Sequence, residues 1–206
     1  MGTKERRDRE REALRQEILA AARDLFIQEG YERVSMRRIA ERIEYSPTTI
    51  YLYFRDKSEI LDEICEQTFA KLARSMERIE VKGLDPLEGL REGCRTYIRF
   101  GLRNPHQYRL TFMVSGGTRD REEESPRFEG SMGERAFGFL VRAVERCREA
   151  GLLREIDVAV ASQVVWAGIH GVTSLLITIN EEDFPWGETK SLIEETIGTV
   201  TRGLMK

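Results

Sequence analysis

Residues 35–54 read Ser35-Met36-Arg37-Arg38-Ile39-Ala40-Glu41-Arg42-Ile43-Glu44-Tyr45-Ser46-Pro47-Thr48-Thr49-Ile50-Tyr51-Leu52-Tyr53-Phe54. Two short helices joined by a tight turn account for this pattern. Ser35 can cap the first, because its side-chain oxygen accepts from a backbone N–H left unpaired at a helix start. Ile39, Ala40 and Ile43 make that helix's apolar stripe. Glu44-Tyr45-Ser46 is the turn. Ser46 caps the second helix and Pro47 takes its first position, where the missing N–H costs nothing. This helix, expected from Pro47 to about Tyr53, turns Ile50 and Phe54 inward and leaves Thr48, Thr49, Tyr51 and Tyr53 outward. Two short helices whose second presents hydroxyls and phenols are suited to a DNA major groove.

Outward from this motif, helical spacing continues almost everywhere. Leu14, Ile18, Ala22, Leu25 and Phe26 mark one face of a helix that Gly30 can end. Ile60, Leu61, Ile64, Leu72, Met76 and Ile79 mark a long helix closing near Gly83. Pro86 opens another, broken at Asn104-Pro105, and a short apolar helix follows to about Ser115. Residues 116–127 read as a polar loop. Further helices are expected near 130–150, 157–180 and 188–204. No segment shows sustained two-residue alternation, so the fold class is all-α with about nine helices. A DNA-binding domain over 1–56 and a larger helical domain over 57–206 are expected.

The chain is 40% hydrophobic and 33% charged, the balance of a folded globular protein. Its net charge of −3 is unevenly placed: residues 1–57 carry +2 and the remainder −5. A mildly basic reading module on an acidic body fits that division. The charged N-terminus holds no apolar run, so no signal peptide is expected and the chain is expected to be cytoplasmic. Cys65, Cys94 and Cys147 lack metal-ligand spacing, and only two histidines exist, so neither a zinc site nor any other cofactor is expected. No nucleophile–His–acid grouping or phosphate-cradling loop points to an enzyme.

Over residues 13–64 the sequence resembles the TetR family of bacterial regulators. The resemblance rests on Phe26, Gly30 and Tyr31, then S-x-R-x-I-A from Ser35, then S-x-x-T-I-Y-x-Y-F-x-x-K-x-x-I-L from Ser46. It departs at Tyr53, where many members carry His. It implies DNA-contacting roles for Ser35, Arg37, Ser46, Thr48, Thr49, Tyr51 and Tyr53, and a phosphate-contacting role for Lys57. The second helix offers no Arg, Lys, Asn or Gln for bidentate base contacts. Recognition is therefore expected to draw on Arg37, on DNA shape and on the N-terminal arm of Lys4, Arg6, Arg7, Arg9 and Arg11.

Val158–Asn180 carries no formal charge, yet Ser162, Gln163, His170, Thr173 and Ser174 interrupt it, which favours a buried soluble helix over a membrane span. Trp166-Ala-Gly-Ile-His170-Gly171 resembles a ligand-binding domain type of the same family, marked by a Trp, a His and a following Gly. A lone buried His is also common as a satisfied core residue. An effector pocket is expected from Tyr97, Phe100, Phe112, Met113, Phe137, Val141, Trp166 and His170, which are apolar or amphipathic. In the family the last two helices form the usual dimer contact, which implies an interface of Ala161, Gly168, Gly171, Ile193, Ile197, Val200 and Leu204. The partners implied are double-stranded DNA, a second copy and a small-molecule effector, with no membrane. A DNA-binding dimer controlled by concentration or by a protein partner is the alternative.

Overall fold

The computed structural model describes residues 3–114, 128–180 and 182–206. The expected loop at 116–127 lies outside the described residues, as does Ser115 at the end of the helix before it. Among the described residues there are nine α-helices and no strand, with a lone antiparallel bridge between Leu153 and Met205. The helices are α1 (Thr3–Glu29), α2 (Met36–Arg42), α3 (Pro47–Tyr51), α4 (Lys57–Glu80), α5 (Pro86–Arg103), α6 (Pro105–Arg109), α7 (Met132–Glu149), α8 (Val158–Thr178) and α9 (Thr189–Arg202). A wider π-type turn, Leu110–Val114, continues α6.

Local chemistry sets these boundaries. Gly30 leaves α1 with φ of +83°, a conformation that only glycine adopts without strain. Ser35 Oγ accepts from the Arg38 amide at 3.2 Å and Ser46 Oγ from the Thr49 amide at 3.1 Å, so both motif helices start on the expected caps. Asp85, Ser131 and Asp157 cap α5, α7 and α8 in the same way. The second motif helix ends at Tyr51, earlier than expected. The amides of Tyr53 and Phe54 both turn back to the Ile50 carbonyl, at 2.9 and 3.1 Å, and close it.

The described residues divide into two compact units, one lying within 1–68 and 106–126 and the other within 69–105 and 127–206. A cut at 56/57 would miss why. The core of the first unit joins Ile18, Leu25 and Phe26 of α1 with Ile39 of α2, Ile50, Phe54, and Ile60, Leu61 and Ile64 of α4. The start of α4 is therefore part of the motif's own core. Leu110 joins the same core, and Val114 packs against it.

In the second unit α5, α7, α8 and α9 pack together. Arg95 of α5 bonds Glu194 of α9 at 2.9 Å and Glu88 at 2.6 Å. Helix α8 is long and apolar enough to cross a membrane by composition, and in this structure it packs against α5, α7 and α9. It approaches α9 closely at Gly168, where a Cβ would stand 2.5 Å from Val200 Cγ1. All three cysteines are buried, and burial pushes the Cys94 thiol up to about 12, so it stays protonated and unreactive.

The turn between α2 and α3 places Glu44 at φ of +59°, in the left-handed region. A side chain there costs roughly 1–2 kcal/mol. Glu44→Gly is expected to stabilise the chain by about 0.5 kcal/mol, and Glu44→Val to destabilise it by about 1 kcal/mol, in urea unfolding. A glycine that instead costs the ~0.5–1 kcal/mol seen at ordinary positions contradicts the assigned turn.

Candidate functional site

The α2–α3 surface is built by an inside–outside division. Ile39, Ala40, Ile50 and Phe54 are fully or almost fully buried, which fixes how both helices lie on α1 and α4. The opposite side is solvent-facing. Ser35, Arg37, Ser46 and Thr48 are exposed, and Tyr51 is 55% exposed. The Arg37 side chain is 80% exposed and pairs only loosely with Glu41 of its own helix, at 3.0 Å. An exposed pair of this kind contributes little, so the guanidinium can exchange Glu41 for a phosphate or a base edge.

The structure brings most of the expected DNA-facing residues together and sets three of them apart. Thr49 is half-buried, and its hydroxyl lies 2.9 Å from Ser46 Oγ, so these two groups satisfy each other across the first turn of α3. The Ser-x-x-Thr spacing was the available signal, since residues three apart on a helix are neighbours. Tyr53 lies beyond α3, half-buried, with the Arg11 guanidinium 6.0 Å from its ring centre. Lys57 donates to the carbonyls of Tyr31 and Glu32 at 3.0 and 3.3 Å and sits 4.3 Å over the Tyr31 ring. It braces α4 against the α1–α2 connection. Tyr45 and Leu52, not expected at this surface, are exposed beside the motif helices, Leu52 at 71%.

In the second unit a hydrogen-bonded cluster spans α5 and α8. Trp166 Nε1 donates to Tyr97 Oη at 3.3 Å. Tyr97 Oη lies 3.0 Å from His170 Nδ1, and Ser174 Oγ 3.3 Å from His170 Nε2. An indole can only donate, so Tyr97 accepts from Trp166. The Phe137 ring of α7 meets Trp166 edge-on at 6.2 Å. Phe100 and Val141 are half-buried in the same unit. Phe112 and Met113 belong to the other unit, where the Phe112 ring packs on Tyr108 at 4.7 Å.

The residues expected at a dimer contact also divide. Ala161, Ile197 and Leu204 are buried inside the subunit, and Gly168 is occupied by Val200. These residues hold α8 and α9 within one chain. Ile193 is half-buried on α9. A Cβ on Gly171 would meet open space. Around it α8 exposes Val160, Val164, Ala167 and Leu175, spaced four, three and eight apart on one face. Sequence spacing could not tell the inner face of α8 from its outer one, since both carry apolar residues.

Residues 18–64 match the family described as bacterial regulatory proteins, tetR family, and residues 90–191 match the tetracyclin repressor-like C-terminal domain. Together the matches cover more than half of the chain. The chain belongs to the TetR family. It is a TetR-family transcriptional regulator with an N-terminal helix-turn-helix and a C-terminal helical domain. It is 39% identical over 72 residues to the HTH-type transcriptional repressor KstR of Rhodococcus jostii, covering 35% of this chain and 31% of that one. It is 30% identical over 105 residues to the KstR repressor of Mycobacterium tuberculosis, covering 51% and 46%. These matches span less than half of either repressor's length. The crystal structure of PfmR, a TetR-family regulator from Thermus thermophilus, superposes with a TM-score of 0.66 over 92% of this chain and 99% of that one, at 24% identity.

Burial holds His170 below its ordinary value of 6.5. The unfolded chain then takes up a proton at a pH where the folded chain does not. The resulting stabilisation is complete above about 6.5 and is lost as pH falls from there toward the lowered folded value. Plotted against pH, stability is expected to fall more steeply below 6.5 in this TetR-family chain than in its His170→Gln variant, by up to one proton. Parallel curves would contradict the burial of a neutral ring.

Proposed function

We propose that this regulator is a homodimeric repressor that binds a palindromic operator and is released by a small apolar or amphipathic effector. The observation that carries the DNA-binding part is the polar, solvent-facing side of α2 and α3 over a fully apolar core. Arg37, Thr48 and Tyr51 stand on that side, and Thr methyls and hydroxyls read base edges weakly. A five-residue reading helix touches few bases, so two copies at half-sites about 34–36 Å apart supply the specificity that one lacks. Lys57 assists by holding α4 in place, not by acting mainly on phosphate.

Dimerisation is supported by the outer face of α8, where Val160, Val164, Gly171 and Leu175 form an apolar stripe on a helix that also packs against α5, α7 and α9. Two such stripes meeting, with α9 alongside, would give a four-helix arrangement. Effector binding is supported by the aromatic cluster around Trp166 and His170, and by the Trp166, His170 and Gly171 pattern. One observation favours the second reading, in which concentration or a protein partner controls the dimer. Both His170 ring nitrogens are engaged within the subunit, so a ligand there must displace Tyr97 or Ser174.

Duplexes selected by the full chain from a random 30-bp library are expected to share an inverted repeat. Val164→Glu is expected to sediment as a folded monomer and to bind those duplexes at least about tenfold more weakly, because the second half-site is lost. Failure to enrich any sequence contradicts the operator reading. A Val164→Glu chain that remains dimeric contradicts the interface.

A further inference from the structure

The first three turns of α1 extend beyond the core of their unit, and every side chain described from Lys4 to Ala13 is exposed. Four residues of this segment are acidic, which makes it look like a solvated, self-neutralised helix. The structure sorts its charges by face. Arg6 pairs with Glu10 at 3.0 Å, Arg9 donates to the Glu5 carbonyl at 3.4 Å, and Gln16 donates to Glu12 at 2.7 Å. Lys4, Arg7 and Arg11 make no ion pair among the described residues.

Those three share one face by helical geometry. At about 100° per residue, Lys4, Arg7, Arg11 and Arg15 fall in a single stripe, with Asp8 on its border. Leu14, Ile18 and Ala22 lie on the same side of the helix, and Ile18 and Ala22 belong to the core. The inward face of α1 thus changes from apolar to basic where the core stops. At the changeover Arg15 pairs with Glu63 at 3.0 Å and lies 5.2 Å over the Phe54 ring. One turn earlier Arg11 reaches the Tyr53 ring. Tyr53 and Phe54 follow α3 closely, so the basic stripe begins beside the end of the reading helix and runs outward.

We propose that Lys4, Arg7 and Arg11 form a phosphate-tracking face that meets the DNA backbone flanking each half-site. The proposal rests on the reading of α2 and α3 as a DNA-binding surface. The occupant is the same duplex, because the stripe is continuous with that surface and carries the complementary charge. From Lys4 to Arg11 it spans about 10 Å along the helix axis, the length of roughly three base pairs. The arm is therefore divided: one face meets DNA, and the face carrying Arg6 and Arg9 stays in solvent.

The test compares variants that lose equal charge from opposite faces of the same helix. Duplexes selected by the wild-type chain are titrated with wild type, Lys4→Ala/Arg7→Ala and Arg6→Ala/Arg9→Ala over a range of KCl concentrations. Lys4 and Arg7 lie outside the core and alanine favours a helix, so neither pair threatens the fold. The Lys4/Arg7 pair is expected to flatten the slope of log affinity against log salt by about 0.9 for each phosphate left without its cation, and to weaken binding by about tenfold or more near 100 mM salt. The Arg6/Arg9 pair is expected to change either by less than half as much. Equal effects of the two pairs would show a net-charge effect and overturn the proposal, as would no effect of either. If the Lys4/Arg7 pair changes nothing while Arg37→Ala abolishes binding, the stripe fails and the DNA reading stands. If the wild-type chain selects no duplex, both fail together.

Discussion

The helix-turn-helix cannot hold itself. Helices of seven and five residues lie below the length at which a helix persists alone in water, so α2 and α3 exist because Ile39, Ala40, Ile50 and Phe54 are buried on α1 and α4. Truncating one buried isoleucine of this kind typically costs about 2–5 kcal/mol, comparable to the stability of a small domain. The outward position of Arg37, Thr48 and Tyr51 follows from that burial, since a helix with one face fixed has its other face fixed too. Lys57 at the start of α4 and Arg15 midway along α1 then brace the two helices around the same core. The exposed face of the motif is positioned by residues that lie wholly beneath it.

The second unit follows a different rule. Its helix α8 carries apolar residues on more than one side, and the burial differences among those sides decide what each can do. The inner sides hold Val165, Ile169 and Val172 in the core. The side toward α9 carries Gly168, which admits Val200. The outer side leaves Val160, Val164 and Leu175 uncovered. A polar thread then crosses to α5, from Trp166 to Tyr97 and on to His170. Both ring nitrogens of His170 have partners in that thread, so a ligand can enter it only by replacing one of them.

The fold was legible in the sequence because caps and apolar spacing agree at every level: Ser35, Ser46, Pro47, Gly30 and Pro86 all mark the boundaries observed. The exposed side of the motif was legible for the same reason, one buried stripe leaving one free face. Three things were not. Thr49 looked like a base reader because spacing shows direction but not a neighbour's hydroxyl, and Ser46 takes it. The dimer residues were drawn from a largely apolar helix and its partner, where periodicity cannot separate core from surface, and Ala161, Ile197 and Leu204 proved internal. The division of the arm into two faces needed positions in space, since Lys4, Arg7 and Arg11 alternate in sequence with the residues they are separated from.

The central claim is that the α2–α3 surface is where this TetR-family regulator meets DNA. Hydrogen–deuterium exchange of the full chain with and without a selected duplex tests it most directly. The account predicts slowed exchange concentrated over residues 35–53, with the core of α8 unchanged. Slowed exchange confined to residues 69–206, with 35–53 exchanging as in the unbound chain, would contradict it.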